Sequence, residues 1–449
     1  MVIVKKVFSQ LGIDSAIAFT ILTRIIQAFG GIISIVFIAK FLSPDEQGYY
    51  YTFASILAIQ IFFELGLSGI ITQYAAYEFA YLKWDDDFKL TGEEYYKSRL
   101  SSLLIFCVKW FAIIAFILFF VLLIAGFYFF SKFNKGLNIE WQKPWIILCI
   151  ATSLNLFIDP LLAFFDGLGH VKDMSKVRLV QKSVNIGLLF IFFACGFKLY
   201  SSALASLIAI SVNYVQIVFS NKIKILRVIW LAKAEWIINY YREIFPFQWR
   251  IALSWISGYF IFQLFNPVLF ATEGPAIAGQ MGMTIATLTG IASISMSWIV
   301  TKVPFLSMLI SKREFTTLDT NFKKIFIQSL GINIIITCIF FALVQIAKTL
   351  NWGLTSRFLT TIPLLCMCLA SIANQVAFAF ATYLRCHKKE PMLVQSIAMG
   401  SLICVSTIVL GKRYGLIGMT TGYFFLTCIV GLSWTVYTFI NKRRAWHNA

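Results

Sequence analysis

Charged side chains are scarce in this chain of 449 residues, in which Asp, Glu, Lys and Arg together make up 13%. Polar stretches are short as well, and the longest one between apolar runs covers residues 221–246. A folded water-soluble domain needs more polar surface than this sequence provides. The composition therefore excludes a soluble enzyme and leaves very little of the chain outside a membrane.

Chemical motifs are also missing. The sequence contains no nucleotide-binding loop, no catalytic triad pattern and no nucleic-acid-binding motif. Among the nine cysteines only Cys366 and Cys368 are close together, so neither a zinc site nor a disulfide framework is indicated. The acidic run at residues 85–87 lies in a solvated loop without the spacing of a calcium-binding loop. We expect no cofactor, no metal and no covalent chemistry.

Long apolar runs fill the rest of the chain, which is 59% hydrophobic and contains 45 Phe. About 20 apolar residues in a helix match the hydrocarbon core of a bilayer, which is roughly 30 Å thick. The runs predict about twelve membrane-spanning helices. Their expected bounds are 14–41, 46–77, 101–130, 145–166, 176–197, 199–220, 247–271, 276–301, 324–347, 356–385, 392–411 and 415–440.

The basic residues predict an orientation. If the N-terminus is cytoplasmic, roughly three-quarters of the Lys and Arg side chains fall on the cytoplasmic side, as the positive-inside rule requires. Both termini are then cytoplasmic, and the net charge of +18 needs no nucleic-acid partner. We predict an all-α polytopic membrane protein with an N-terminal lobe at 1–220, a cytoplasmic amphipathic linker at 221–246 and a C-terminal lobe at 247–449.

Two hairpins at corresponding places of the predicted lobes share a pattern. The first reads Ser-Pro-Asp-Glu-Gln-Gly at residues 43–48, and the second reads Gly-Pro-Ala-Ile-Ala-Gly at residues 274–279. Each has Pro followed by Gly four residues later. Such a match favours a repeat of two lobes with a cavity between them near mid-membrane, which suits alternating access.

The stretch FLSPDEQGYYYTFASI at residues 41–56, followed by Glu-Leu-Gly-Leu at 64–67, resembles the start of Wzx-type polysaccharide flippases. These belong to the multidrug/oligosaccharidyl-lipid/polysaccharide (MOP) exporter superfamily. Residues 165–172, Phe-Asp-Gly-Leu-Gly-His-Val-Lys, resemble the loop between the fourth and fifth helices of that family.

The resemblance implies a MATE-like fold, with two six-helix lobes around a central cavity, in a bacterial inner membrane. It implies a flippase that turns an undecaprenyl-diphosphate-linked oligosaccharide, such as an O-antigen repeat unit of lipopolysaccharide, from the cytoplasmic to the periplasmic leaflet. Polysaccharide polymerase and chain-length proteins are the implied protein partners, beside the membrane lipids.

Charged residues inside the predicted spans are candidates for a transport pathway, because charge at membrane depth is costly. Arg24 and Lys109 are the candidates for binding a diphosphate. Glu64, Asp159 and Asp166 are candidates for binding a coupling ion or for gating. An ion-pair network that holds the first lobe together is an equally open interpretation of these acids.

In the second lobe, Arg250 and Lys302 lie near the predicted cytoplasmic mouth, where they either attract a lipid diphosphate or anchor the helices. Neutral polar residues inside spans are candidates for contacts with sugar hydroxyls, although hydrogen bonds between helices are the more common role. The residues in question are Gln27, Gln60, Gln263 and Asn374.

Three other functions remain open from the sequence. A drug or cation antiporter of the same superfamily has the same fold, and a cavity richer in cations than in acids would speak for an anionic lipid headgroup instead. A membrane polysaccharide polymerase or glycosyltransferase is disfavoured because the longest external connection, about residues 131–144, is too short for an active site. A non-transporting scaffold has no need for aligned charges inside its helices.

Overall fold

The structure is a computed structural model that describes residues 15–85, 90–134, 136–232, 236, 238–387 and 389–447. In these ranges the chain is helical apart from its connections and one antiparallel hairpin, β1 Leu82–Trp84 with β2 Leu90–Gly92. The α-helices are α1 Ser15–Phe41, α2 Pro44–Leu57, α3 Ile61–Glu64, α4 Leu67–Phe79, α5 Glu94–Phe133, α6 Gln142–Gly167, α7 Val171–Ala194, α8 Tyr200–Val218, α9 Lys222–Leu231, α10 Phe245–Phe262, α11 Phe265–Thr272, α12 Pro275–Val300, α13 Val303–Ser311, α14 Phe315–Thr349, α15 Thr361–Cys386, α16 Leu393–Phe425 and α17 Leu432–His447.

The described residues contain ten helical stretches that are long and apolar enough to cross a membrane. One of them, Leu393–His447, covers the last two predicted spans, and its backbone leaves the helical conformation at Gly415. The first predicted span corresponds to α1, Ser15–Phe41, which is 27 residues long. With these two cases included, each predicted span has a helical counterpart in the structure.

The chain divides into two compact units. The first takes the described residues of Met1–Gly30, Leu57–Lys132 and Asn138–Trp255, and the second those of Gly31–Ile56, Phe133–Leu137 and Ile256–Ala449. The first two helical stretches are therefore each shared between the units. The predicted linker, residues 221–246, is part of the first unit.

Several hydrogen bonds fasten this linker to the start of α5. The hydroxyl of Ser101 donates to the carbonyl of Ala232 at 3.0 Å, and the backbone N–H of Trp236 donates to the Ser98 hydroxyl at 2.8 Å. Arg99 donates to the carboxylate of Glu243 at 2.6 Å. Because the bonds use both backbone and charged groups, the linker is an ordered part of the first unit where the structure describes it.

Arg99 also forms an ion pair with a second carboxylate. Its Nε donates to Glu78 at 2.8 Å, and the Glu78 side chain is buried at 1% exposure. The backbone carbonyl of Glu243 accepts a hydrogen bond from the Tyr74 hydroxyl at 2.6 Å. One guanidinium thereby joins the end of α4, the start of α5 and the linker, which is a geometry that its planar fork of donors permits.

The second unit contains the hairpin between α1 and α2, and its sequence explains how α2 begins. The Ser43 hydroxyl accepts from the N–H of Glu46 at 3.1 Å, and the Glu46 carboxylate accepts from the N–H of Ser43 at 2.8 Å. This reciprocal pair is a capping box, with Pro44 at the first helical position where a missing N–H does no harm.

The two hairpins that share the Pro-x-x-x-Gly pattern pack against each other in this unit. A Cβ added to Gly48 would collide with the carbonyl of Pro275, and one added to Gly279 would meet the backbone N–H of Gly48 at 2.8 Å. The Gln47 amide donates to the Gly279 carbonyl at 2.8 Å. Arg357 donates to the carbonyl of Leu42 at 2.6 Å. Glycine is required at both positions because the two backbones touch.

Candidate functional site

The first unit encloses a cavity of about 450 Å³ between α1, the α3–α4 junction, α6 and α7. Four of its lining side chains are ionisable, namely Glu64, Asp159, Arg178 and Lys182. Uncharged polar side chains supply most of the rest of the wall, and Ala163 supplies the remainder. These polar residues are Thr23, Gln27, Ser68, Asn155, Ser175 and Gln181.

Glu64 lies where the second helical stretch is interrupted. It is the last residue of α3, and the next two residues, Leu65 and Gly66, have φ of 49° and 72°. The end of a helix carries partial negative charge, so a carboxylate there needs hydrogen-bond donors. Ser68, in the first turn of α4, donates to Glu64 at 2.8 Å. The break therefore places both a carboxylate and its donor on the cavity wall.

A chain of hydrogen bonds links α6 to α7. The Asn155 amide donates to Asp159 at 2.6 Å, and Gln181 donates to the Asn155 carbonyl oxygen at 3.1 Å. Pro160 follows Asp159 inside α6, where its ring removes one backbone hydrogen bond. The three side chains hold one another in position, with the Asp159 carboxylate at the cavity end of the chain.

The fifth predicted span, α7, supplies the cations. Arg178, Gln181 and Lys182 are three and four residues apart and so share one helical face. Because α7 begins at Val171 and rises 1.5 Å per residue, Arg178 lies roughly 10 Å and Lys182 roughly 16 Å from the helix start. Arg178 and Lys182 therefore both lie beyond the first turn of α7, and Lys182 lies near the middle of the helix.

Arg178 is only partly available to a ligand. It donates to Asp166 at 2.7 Å, and the two side chains are 37% and 16% exposed. Lys182 has no ion pair within 4.0 Å among the residues that the structure describes. The lining thus contains two acids and two bases, which is a balanced set of charges and not the cationic excess expected for an anionic headgroup.

The structure brings three of the predicted site residues into the cavity wall, which are Gln27, Glu64 and Asp159. Asp166 joins them indirectly through its ion pair with Arg178. The side chain of Arg24 lies outside the described part of α1, so its predicted place in the cavity stays a prediction.

The other predicted site residues lie elsewhere. Lys109 and Lys302 are exposed, and neither lines the cavity. Gln60 and Gln263 are half-buried, and Asn374 donates to the Tyr423 hydroxyl at 2.9 Å, which is a contact between helices of the second unit. The side chain of Arg250 is outside the described residues.

Among the cavity residues that the sequence analysis did not select, Arg178, Gln181 and Lys182 all lie on α7. Arg178 and Lys182 were counted with the basic residues of the cytoplasmic side, although they lie within the predicted fifth span, 176–197. The spacing of three and four residues that they share with Asn185 was the available signal, because it describes one polar helix face.

No protein-family model matches the chain, and no curated protein matches it. Solved structures of low sequence identity are similar over nearly its full length. A point mutant of the Vibrio cholerae MATE transporter VcmN is 14% identical over 96% of both chains with a TM-score of 0.55. The lipid II flippase MurJ in an inward closed conformation is 15% identical over 94% of this chain and 87% of its own, with a TM-score of 0.54.

A third similar structure is a MOP superfamily transporter from Pyrococcus furiosus, 14% identical over 96% of both chains with a TM-score of 0.51. At this level of identity the similarity shows the fold alone. The chain has the two-lobe helical fold of MATE and other MOP transporters, which confirms the predicted fold class. The ten apolar helical stretches among the described residues, together with this fold, indicate a multi-pass membrane protein.

Proposed function

We propose that this chain is a flippase that moves an undecaprenyl-diphosphate-linked oligosaccharide, such as an O-antigen repeat unit, from the cytoplasmic to the periplasmic leaflet by alternating access. Besides the shared fold, one observation about the cavity supports this proposal. Ten of the eleven residues that line the first unit's cavity are polar or charged, and none of them is aromatic.

This lining matches a hydroxyl-rich substrate. Amide groups such as those of Gln27 and Gln181 both donate and accept hydrogen bonds, and each sugar hydroxyl does the same. Sites for drug-like molecules are lined mainly by apolar and aromatic side chains, and aromatic faces attract organic cations. The chemistry of the wall therefore favours a glycan over a lipophilic cationic drug.

The cations of α7 supply contacts for the diphosphate. We propose that Lys182 binds it as a point charge, and that Arg178 adds the donors that Asp166 does not use. Glu64 and Asp159 then balance these charges when the cavity holds no substrate and take up a coupling proton or cation. The ion pair that the described residues form at this cavity joins Arg178 to Asp166, so the headgroup would bind Lys182 directly and compete with Asp166 for Arg178.

Complementation tests the proposal. The chain is expressed in a bacterium that lacks its own polysaccharide flippase, as wild type, as Lys182→Gln and as Lys109→Gln. We expect wild type to restore surface polysaccharide and to remove the accumulated lipid-linked precursor. Lys182→Gln should lower the transport rate at least about tenfold, which corresponds to about 1.4 kcal/mol. Lys109→Gln removes the same charge outside the cavity and should leave transport unchanged.

The outcomes separate the candidate functions. Restored polysaccharide with equal rates for wild type and Lys182→Gln would remove Lys182 from the substrate path. No restoration, together with altered accumulation of a cationic drug, would replace the flippase by an antiporter of the same fold. Membrane levels of each variant are measured in parallel, so that a loss of transport is not confused with a loss of protein.

A further inference from the structure

A second cavity, of about 500 Å³, lies in the second unit between α13 and the end of α15. From α13, Val303 and Ile310 supply the apolar part of the lining, and Ser307 and Ser311 add hydroxyl groups. Arg385 and His387 line the cavity from the end of α15. This cavity is separate from the one in the first unit and shares no lining residue with it.

Arg385 is held in a pair that an external anion can replace. Its Nε and Nη2 each donate to the Glu390 carboxylate at 2.8 Å. The two side chains are 52% and 42% exposed, so water screens their attraction and the pair contributes little stability. A phosphate oxygen pair offers the same bidentate geometry as a carboxylate, so exchange of Glu390 for a phosphate group needs no rearrangement of the guanidinium.

His387 presents a buried ring nitrogen without a partner. Its Nδ1 lies 3.3 Å from the carbonyl oxygen of Tyr383, which only accepts, so Nδ1 carries the hydrogen. Nε2 is then a bare acceptor in the neutral ring, and it is buried without a hydrogen-bond partner among the described residues. A buried polar atom of this kind lowers stability unless a ligand or water satisfies it.

The groups around His387 lower the pKa of its ring. Burial lowers the pKa of His387, and the hydrogen bond to the Tyr383 carbonyl opposes this effect. Electrostatic repulsion by His447 and Lys389 lowers the pKa further, while Asp319 raises it. Trp446 stacks near the ring with its centroid 5.0 Å away and adds no charge. An anion placed at Nε2 would reverse this balance and draw a proton onto the ring.

The surroundings of the cavity favour negative ligands. Lys302, Lys312, Arg313 and Lys389 lie in the segments beside α13 and after α15, whereas Glu314 and Glu390 are the acids of these segments within the described residues. Clusters of basic residues at the end of membrane helices attract anionic lipid headgroups. The apolar part of the lining supplies a surface for hydrocarbon next to such a headgroup.

We propose that this cavity binds the phosphate group of an anionic phosphate ester between Arg385 and His387, with Val303 and Ile310 against the adjoining hydrocarbon. The bound phosphate replaces Glu390 at the guanidinium and receives a hydrogen bond from the protonated Nε2 of His387. Binding is therefore coupled to uptake of one proton. The site shares no lining residue with the cavity of the first unit, so the proposal does not depend on which substrate that cavity binds.

The test is titration of the purified full-length protein in a neutral detergent with three probes. These are dihexanoyl phosphatidic acid, dihexanoyl phosphatidylcholine and inorganic phosphate, each followed by calorimetry at pH 6 and pH 8. We expect phosphatidic acid to bind at least about tenfold more tightly than phosphatidylcholine, and more tightly at pH 6 than at pH 8. Inorganic phosphate binding as tightly as phosphatidic acid would assign the site to a soluble anion and overturn the role of the apolar part of the lining.

Three variants make the test specific. Arg385→Gln should weaken phosphatidic acid binding at least about tenfold, and Arg385→Lys should be intermediate because the charge remains and the fork is lost. His387→Gln should retain binding at pH 8 but lose the gain at pH 6. Arg413→Gln removes the same charge from an exposed position of the second unit that does not line the cavity. Equal binding by Arg385→Gln and Arg413→Gln would overturn the proposal, and thermal unfolding of each variant shows that it is folded.

Discussion

Asp166 depends on Arg178 more than an exposed acid would. One oxygen of its carboxylate accepts from Arg178, and the other, Oδ1, is buried without a hydrogen-bond partner in the described part of the chain. Losing the guanidinium would leave a half-buried charge unpaired. The pair is therefore a structural element of the cavity as well as a source of donors for a ligand.

Arg178→Gln should lower the free energy of unfolding by about 1.5–3 kcal/mol, the usual contribution of a hydrogen bond to a charged group. Adding Asp166→Asn should recover most of the loss, because the unpaired charge is then gone. Chemical denaturation in detergent micelles measures both variants, with Lys109→Gln as a charge-matched control. A double variant no more stable than Arg178→Gln alone would contradict the pairing.

The anchoring of the linker through Glu243 predicts a dependence on pH. Burial acts to raise the pKa of Glu243, but the hydrogen bond from Arg99 and the one from the Asn239 backbone outweigh it, so the pKa lies below its usual value of 4.5. A carboxylate with a depressed pKa stabilises the folded state above its unfolded pKa, and this contribution is lost as the pH falls through the folded pKa.

We expect limited proteolysis of the linker to accelerate as the pH is lowered below about 4.5, since the anchor is lost on protonation. Glu243→Gln should be cleaved faster than wild type at pH 7 and should show a smaller change with pH. A pepsin-type protease on the acid side and a thermolysin-type protease near neutrality give the two rates. Identical profiles for wild type and Glu243→Gln would show that other acids set the behaviour.

At the scale of elements, hydropathy located the helices but not their interruptions. The second span was predicted as one helix over 46–77, yet its helical geometry breaks at Leu65 and Gly66, directly after Glu64. Hydropathy averages over a whole span, so a break of two residues leaves no trace in it. Glu64 itself was selected from the sequence, because a single charged residue stands out within an apolar span.

The hairpin glycines give a second prediction at this scale. Gly48→Ala should destabilise the protein by about 1–3 kcal/mol, because the new methyl group would overlap the Pro275 carbonyl and backbone atoms cannot move aside easily. Gly31→Ala is the matched control, since nothing lies within 4 Å of a Cβ added there. It should be neutral or stabilising by up to about 1 kcal/mol. Equal thermal unfolding of the two variants would contradict the close packing of the hairpins.

At the scale of the whole molecule, the distribution of basic residues predicts that both termini are cytoplasmic. A green fluorescent protein fused to the C-terminus should therefore fluoresce in a bacterial host, and an alkaline phosphatase fused at the same place should be inactive. As the control, the same two reporters are fused after about residue 40, in the predicted external hairpin. There the phosphatase should be active and the fluorescent protein should not fluoresce. An active phosphatase at the C-terminus would overturn the predicted orientation.

The fold class was predictable from the sequence because the length and hydropathy of the apolar runs suffice to locate helices that can span a membrane, whereas the repeat suggested by the Pro-x-x-x-Gly hairpins stays a prediction. The site was predictable only in part. Glu64, Asp159 and Gln27 stand out as polar residues inside apolar spans, whereas Arg178 and Lys182 follow a basic connection and look like ordinary anchors. Their role depends on where α7 begins, and a sequence alone places a helix start only to within a few residues.

The packed hairpins also have a consequence for synthesis. Gln47 bonds to Gly279 across 232 residues of sequence, and Leu42 accepts from Arg357 across 315. The ribosome makes a chain at roughly 5–20 residues per second, so residues 42–48 would wait for tens of seconds before their partners exist. During that interval the Gly48 backbone lacks its contacts with Pro275 and Gly279. In a Gln47→Cys variant, a nascent chain stalled before residue 275 should therefore leave the introduced thiol open to a cysteine-modifying reagent, and completion of the chain should bury it.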